Sequence, residues 1–312
     1  MYIDPRHLEQ VAAIVDHGTL QAAALAMRTS QSALSRLIAS LEARLNVALF
    51  EHNTRPLLAT EMGRRLADQG RAIRVARLRA AEEVSLGVGG MIGEVKIGAP
   101  PFMCARLVRD ALSDFMRERP RTEITLTPGF YPKLEQAVLL GQIDIAVCPI
   151  RLVVAPRSDL MVESLFRNHL VVVCGDHHPL LRKPQITAVD LEQAQWIGHS
   201  RESMLRQDME SALASLGAIR LRFSFQSESV GAIFDMMRAH EFLTVLPRYS
   251  LPTSLEGFGL SLVPIDLETP RNMVGMLTRR DAADRPVLDA LKRHLRHHAR
   301  KVDNPAGLRR SD

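Results

Sequence analysis

Residues 19–45, TLQAAALAMRTSQSALSRLIASLEARL, decide how the first part of the chain folds. Gly18 closes the segment before them, and Thr19 offers an N-cap hydroxyl to a short apolar helix carrying Leu20, Ala23, Ala24 and Met27. Arg28 and Thr29 form a turn with no room for another element. Ser30 then caps a second helix, in which Ala33, Leu34, Leu37, Leu41 and Leu45 recur at spacings of three and four and so share one face. Gln31, Ser32, Ser35 and Arg36 take the opposite face within its first two turns. That polarity suits a helix-turn-helix reader, whose second helix meets base edges with its N-terminal residues while its far side packs on the domain. Glutamine can pair with adenine and arginine with guanine or phosphate, whereas serine discriminates less. The same spacing also fits an ordinary amphipathic hairpin with a solvated polar face, and these residues alone do not separate the two.

The flanking sequence favours the reader. Asp4 followed by Pro5 starts an earlier helix that buries Leu8, Val11, Ala12 and Val15 and stops at Gly18, which makes three short helices with shared apolar faces. After Leu45, the stretch NVALFEHNTRPLLAT reads as two short strands, 48–50 and 57–59, around a turn at Asn53, Thr54, Arg55 and Pro56. This is a wing, and Asn53 and Arg55 at its tip either reach a phosphate or the minor groove or simply solvate a hairpin. The candidate DNA contacts are therefore Arg28, Ser30, Gln31, Ser32, Ser35, Arg36, Asn53, Arg55 and Thr60. Thr60 also caps a long helix in which Met62, Leu66, Gln69, Ile73, Ala76, Ala80 and Val84 form a narrow stripe. Such a stripe suits pairing between two copies of the chain, the alternative being packing on its own first domain.

Charge and composition point the same way. The net charge is only +5, but residues 28–79 hold ten arginines against four acids, an excess of six positive charges, and no lysine. A second basic run, 292–310, reads as a solvated helix with a frayed tail. With 312 residues and 46% apolar composition, the chain has material for two or three packed domains. Cys104, Cys148 and Cys174 lack Cys-x-x-Cys spacing, so neither a disulfide framework nor a zinc site is expected. The N-terminus has no signal-like apolar core and no apolar run reaches the roughly 18 residues of a spanning helix. A cytoplasmic protein with no membrane association is the expectation.

From Gly93 the pattern becomes strand, loop, helix. EVKIGA, TEITLTP and IDIAVCPI read as strands, separated by helices over 101–118 and 133–141. That alternation predicts a parallel sheet covered on both faces. A longer apolar strand, SLFRNHLVVVC over 164–174, leaves this unit for a second one built from AQWIGHS, a helix over 204–216, RFSFQS, a helix over 230–239 and FLTVLP. Near 263–265 the chain returns, with a strand over 273–278 and a helix over 286–300. Two lobes joined by two crossings make a hinged clamp. Ligands of such sheets sit beyond the strand carboxyl ends, at helix N-termini that favour anions. The residues so placed are Pro100, Pro101, Phe102, Thr127, Cys148, His199, Ser200, Arg201 and Ser227, read either as a ligand site or as plain helix caps. Their hydroxyls, imidazole and guanidinium suit a carboxylate, and Phe102 an apolar or aromatic body.

Enzyme readings find less support. Asp176, His177 and His178 precede a proline in a loop, without helical spacing to a further ligand, and read as a surface turn. There is no Gly-x-Ser-x-Gly elbow, phosphate loop or dinucleotide fingerprint, and GVGGMIG precedes a strand where a phosphate loop would follow one. No catalytic residue, metal or cofactor is assigned. Two other readings stay in play: a solute-binding protein of a transport system, which leaves the first ninety residues idle, and an enzyme with His199 as base.

With these residues laid out, the chain resembles the LysR-type transcriptional regulators over nearly its whole length. The specific part is Leu8 to Gly63, where AAALAMRTSQSALSRLIASLEARLNVALFEHNTRPLLATEMG resembles that family's helix-turn-helix signature, above all Ser30 to Ser35 and Leu41-Glu42 followed by Leu49-Phe50. His52, Ala59 and His240-Glu241-Phe242 depart from the family's pattern. The resemblance implies an α/β chain with an α-rich winged helix-turn-helix over 1–60, a dimerising linker helix over 61–88, and an effector-binding domain over 93–300 like periplasmic binding proteins. Its lobe I would take 93–163 and 266–300 and its lobe II 164–265, with a flexible basic tail over 301–312. The implied partners are double-stranded DNA bearing an inverted-repeat operator, a small-molecule effector, further copies as a homodimer or homotetramer, and RNA polymerase as a candidate.

Overall fold

The computed structural model describes residues 2–51, 57–87, 93–150, 159–201, 203–252, 255–267, 273–282 and 285–303. Helix α1 (Pro5–His17) starts where the Asp4 carboxylate accepts from Arg6 N at 2.9 Å and ends at Gly18, whose φ of 68° lets its N–H reach Ile14 O. Helix α2 (Leu20–Ala26) is capped by Thr19, and Arg28 in the turn adopts a left-handed φ of 52°. Helix α3 (Gln31–Leu45) begins at Ser30, whose Oγ accepts from Ala33 N at 3.1 Å. Its fully buried line is Leu34, Ile38 and Leu41, while Ala33, Leu37 and Leu45 are half-buried. The core face is thus centred on Ile38, which the sequence pattern omits. Leu34, Ile38 and Leu41 close one core with Val11, Ile14 and Ala23. The Glu42 carboxylate accepts from Leu49 N at 2.6 Å and Phe50 N at 3.1 Å, so an acid on α3 holds the chain that turns into the wing. Instead of two strands, the described part of the wing is a single antiparallel bridge, Phe50 to Ala59; its tip, with Asn53 and Arg55, lies outside the described residues.

Helix α4 (Glu61–Gly87) lies along α1 at a distance only glycine permits. A Cβ on Gly70 would stand 2.0 Å from Leu8 O, and one on Gly63 would stand 2.0 Å from Leu49 O. Arg71, 5% exposed, donates through Nε to Asp16 Oδ1 at 2.9 Å and through Nη1 to Asp68 at 2.5 Å, joining α4 to α1. The stripe buried against the chain's own first domain is therefore Gly63, Ala67, Gly70 and Arg71. In the neighbouring stripe read from the sequence, Met62, Gln69, Ala76, Ala80 and Val84 are exposed and Leu66 and Ile73 half-buried.

The rest forms two lobes in the order β1 (Gly93–Ala99), α5 (Pro101–Met103), α6 (Arg109–Glu118), β2 (Thr122–Pro128), α7 (Lys133–Leu139), β3 (Ile145–Ile150), β4 (Leu160–Arg167), β5 (Leu170–Gly175), α8 (Ala188–Gln193), β6 (Gln195–Gly198), α9 (Met204–Ser215), β7 (Arg222–Gln226), α10 (Val230–Ala239), β8 (Phe242–Pro247), β9 (Leu260–Leu262), β10 (Met273–Arg279) and α11 (Pro286–Asp303). Helices α5 and α6 are continuous through a π-turn, Cys104–Val108. The first sheet runs β2-β1-β3-β10-β4 and the second β7-β6-β8-β5-β9. Both are mixed, not parallel: β10 is antiparallel to β3 and β4, and β5 is antiparallel to β8 and β9. The expected single strand over 164–174 is two strands in different sheets. Since β4 stays paired to β10 as far as Arg167 with Met273, the crossing falls at Asn168 and His169, later than residue 164. The return is later too, because Ile265 and Leu267 still pack on the second lobe's core. Helix α11 continues through Lys301 and Val302, so these residues, read as tail, are helical.

Arg285 locks α4 to the first lobe. It is 1% exposed and donates to Glu82 of α4 at 2.9 Å (Nε), to Asp144 at 2.5 Å (Nη1) and to the β1 carbonyl of Glu94 at 2.8 Å. Burial works against the charged guanidinium, but Asp144 and Glu82 outweigh it and raise its pKa. Nearer α1, Arg74 donates to Gly141 O at 2.9 Å and Gln142 to Asp16 O at 2.7 Å. No helix among the described residues is long and apolar enough to cross a membrane.

The α1–α4 contact predicts a contrast between two glycines. Gly70→Ala should lower the unfolding free energy by about 1–3 kcal/mol, as overpacking does. Gly231→Ala, on α10 with nothing within 4 Å of its Cβ, should be neutral or slightly stabilising by helix propensity. Denaturant titration of both variants checks this; an unchanged midpoint for Gly70→Ala would mean the helices are not in this contact.

Candidate functional site

The first site is the start of α3. Arg28, Gln31, Ser35 and Arg36 are exposed, and their side chains make no hydrogen bond or ion pair with described residues. The residues one helical step behind, Leu34 and Ile38, are sealed in the core, so this face is presented by a fixed backbone. Ser32 is exposed and its hydroxyl lies 3.1 Å from that of Ser30. Two candidates have structural duties instead. Ser30 Oγ is the α3 cap, and the Thr60 hydroxyl donates to Ala48 O at 2.8 Å while accepting from Gly63 N at 3.1 Å, joining the wing to α4. Its one hydroxyl proton is already donated to Ala48 O, so Thr60 has none for a phosphate.

The second site is the cleft between the lobes, a space of about 500 Å³ counting its open mouth. Pro100, Pro101 and Phe102 line it, as placed from the sequence, together with Phe130, Tyr131 and Pro149 of the first lobe. Asn168 closes it at the crossing, and Ser203, Met204, Leu205, Asp208, Glu228 and Pro247 face it from the second lobe. The lobes interlock through aromatic rings. Phe102 of the first packs in the second lobe's cluster and edge-on to His199, with centroids 5.6 Å apart. Tyr249, from the turn after β8, packs in the first lobe's cluster, 5.4 Å from Phe166.

Six residues assigned to this site from the sequence do not line the cleft. Cys148 is fully buried among Leu134, Val138 and Ile143, because strand residues alternate faces and its neighbour Pro149 takes the outer one. Thr127 is exposed on β2, the edge strand. Arg201 is exposed outside the cleft. Ser227 Oγ accepts from Ser229 N in the turn before α10, and Ser200 N donates to the Glu228 carboxylate. His199 sits behind Phe102, fully buried, with Nε2 2.8 Å from Val245 O; burial holds its pKa down to about 4. A sealed, neutral imidazole is no general base for a cleft ligand. Burial likewise pushes the thiols of Cys104, Cys148 and Cys174 up to about 11, 12 and 12. Asn168 escaped sequence reading because it lay inside the single strand expected over 164–174, whereas it directly follows β4, and Glu228 lies in the turn after β7, where the reading singled out Ser227.

The exposed polar face on a winged three-helix unit, the long helix and the two-lobed cleft define a DNA-binding regulator with a ligand-sensing domain. Residues 5–64 match the bacterial regulatory helix-turn-helix protein, lysR family, and residues 89–300 match the LysR substrate binding domain. The chain belongs to the LysR family and is a LysR-type transcriptional regulator. It is 28% identical to the transcriptional dual regulator GltC of Bacillus subtilis, over 79% of this chain and 81% of that protein. It is 30% identical to the HTH-type transcriptional regulator GbpR of Azospirillum brasilense, over 78% of this chain and 71% of that one. The crystal structure of ArgP from Mycobacterium tuberculosis shares its fold with a TM-score of 0.70 at 19% identity, covering 96% of this chain and 98% of that one. These relatives are regulators, which sets aside the transport solute-binding reading.

The depressed pKa of His199 carries a sign. The unfolded chain takes up a proton near pH 6.5 that the folded chain refuses down to about 4, so falling pH through this window favours unfolding. His199→Gln should lose part of that dependence: between pH 7 and pH 5 its urea midpoint should fall less than the wild type's. An equal fall in both would show that His199 is not buried in the neutral form.

Proposed function

We propose that two copies of this chain pair through the exposed stripe of α4 and bind an inverted-repeat operator in double-stranded DNA, with Gln31, Ser32, Ser35 and Arg36 against the major groove. Arg28 and the wing residues Asn53 and Arg55 support from the backbone side. Half-sites lie about one helical turn apart or a multiple of it, and two dimers assemble into a tetramer on longer operators. A small molecule in the interlobe cleft shifts the geometry of that assembly, and RNA polymerase is the partner through which binding acts on transcription. The cleft senses and does not turn over its ligand; supporting this, His199 is sealed behind Phe102, and no three His, Cys, Asp or Glu among the described residues are placed to hold a metal ion.

The observation that carries this reading is the division of α3 into a buried apolar line and an exposed polar start, where the side chains of Gln31, Ser35 and Arg36 have no partner among the described residues. An arginine with no carboxylate partner among the described residues, on a face backed by the core, suits phosphate or guanine. On an operator fragment selected from genomic DNA, Arg36→Ala should weaken binding by about 1–3 kcal/mol if the side chain reads a base. Fluorescence anisotropy against random competitor measures it. Affinity equal to the wild type's would remove Arg36 from the interface.

A further inference from the structure

Where the first lobe meets the DNA-binding unit, one carboxylate is only half used. Asp16, near the end of α1, is 8% exposed; its Oδ1 accepts the bonds from Arg71, while its Oδ2 is buried with no hydrogen-bond partner. A buried charged acceptor left unmet costs more than an ordinary hydrogen bond gains. Burial accordingly pushes the pKa of Asp16 up, in spite of Arg71 and Arg74 beside it. A donor stands close by. Arg74 Nη1 lies 3.9 Å from Oδ2, beyond hydrogen-bond reach, because the guanidinium is engaged on the first lobe, where Nη2 donates to Gly141 O at 2.9 Å and Leu140 O at 3.5 Å.

The contact that keeps Arg74 there is thin. Gln142 Nε2 donates to Asp16 O at 2.7 Å, and the apolar core of the helix-turn-helix unit shares no residue with the clusters of the first lobe. Beside the joint, an open space of about 1150 Å³ counting its mouth separates Asp68 and Arg71 of α4 from Leu140 and Arg279 of the lobe, so water reaches the loop carbonyls once they are released. A guanidinium bonds a carboxylate more strongly than a carbonyl. The closed arrangement thus gives Arg74 its weaker acceptors, and parting the loop from α1 offers it the stronger one. Val75, seated in the first lobe's core, and Glu82, bonded to Arg285, keep α4 on that lobe throughout. Glu82 lies about 12 Å along the helix from Arg74, so the loop leaves α1 by a tilt of the lobe about these points.

From this geometry we infer that residues 140–142 are a reversible clasp on the DNA-binding unit and that Arg74 is its toggle. Closed, Arg74 holds the carbonyls of Leu140 and Gly141 while Gln142 holds Asp16 O; open, Arg74 turns onto Asp16 Oδ2. The clasp is where movement of the sensing domain reaches α1 and, through their common core, α3. That role rests on the reading of the chain as an effector-responsive DNA-binding regulator. The two side chains differ in a way that can be measured. Gln142 has its Asp16 partner in the closed state alone, whereas Arg74 has a partner in both states and its stronger one in the open state.

The test reads the distance between spin labels on the full-length chain, one on exposed Gln21 of α2 and one on exposed Gln136 of α7, introduced as Gln21→Cys and Gln136→Cys with Cys104→Ser. Labelled chains are assembled with an excess of unlabelled ones, so that only distances within a chain are read. Gln142→Ala should raise the ratio of open to closed chains about threefold to tenfold, the scale of one hydrogen bond. Arg74→Met should leave that ratio unchanged or lower it, and Arg74→Ala serves the same purpose should Arg74→Met fail to fold. Opening in the Arg74 variant equal to that in Gln142→Ala would overturn the toggle, and one unchanged distance in every variant would overturn the clasp. In unlabelled protein, Gln142→Ala should change operator affinity; a clasp that opens with that affinity unaltered would overturn its part in regulation. The underlying reading fails separately, since a wild-type chain that binds no duplex over random competitor removes the regulator, while the label distances report the clasp without DNA.

Discussion

The structure depends on α4 being gripped at both ends by buried guanidinium groups. Arg71 ties its first half to Asp16 of α1, and Arg285 ties its second half, through Glu82, to Asp144 and to the β1 carbonyl of Glu94. Breaking one partner of such a pair leaves an uncompensated buried charge and costs about 3–5 kcal/mol, far more than any exposed pair on the same helix. Glycine at positions 63 and 70 lets α1 and the wing base approach α4 closely enough for Arg71 to reach Asp16. A helix of 27 residues spans about 40 Å at 1.5 Å per residue. Held in this way, it joins the first lobe to the helix-turn-helix unit.

The sensing half has its own constraint. Phe102 and Tyr249 each place a ring in the other lobe's cluster, so the lobes are not a free hinge but two bodies held by reciprocal insertion. Parting them exposes both rings, and the burial of large side chains is worth about 1.5–3 kcal/mol each. That magnitude is comparable to the ~1–3 kcal/mol by which effectors bias regulators. A ligand that changes how these two rings seat can therefore shift the balance without large contacts of its own.

Much of the DNA-binding unit was legible in the sequence because its determinants are local. Asp4-Pro5, Gly18, Thr19 and Ser30 act within four residues of where they stand, and each is found capping or ending a helix. The long-range determinants were silent. The use of the Glu42 carboxylate on Leu49 and Phe50, and the need for glycine at position 70, depend on which elements meet in space. The same limit separates the cleft residues. Pro100 to Phe102 follow a strand directly and were found, whereas Cys148 was misplaced by the alternation of strand faces and Asn168 went unseen at a crossing whose position depends on how far β4 stays paired to β10.

The grip of Arg285 on α4 is open to direct measurement by a double-mutant cycle on Glu82→Gln and Arg285→Met, reading the unfolding free energy of the full-length chain. If α4 and the first lobe are one mechanical body through this pair, each single variant should be strongly destabilised and the pair should be coupled by about 1–3 kcal/mol. Losses that add within about 0.5 kcal/mol would contradict it, since the two side chains would then act independently and this pair would not be what fixes α4 to the first lobe.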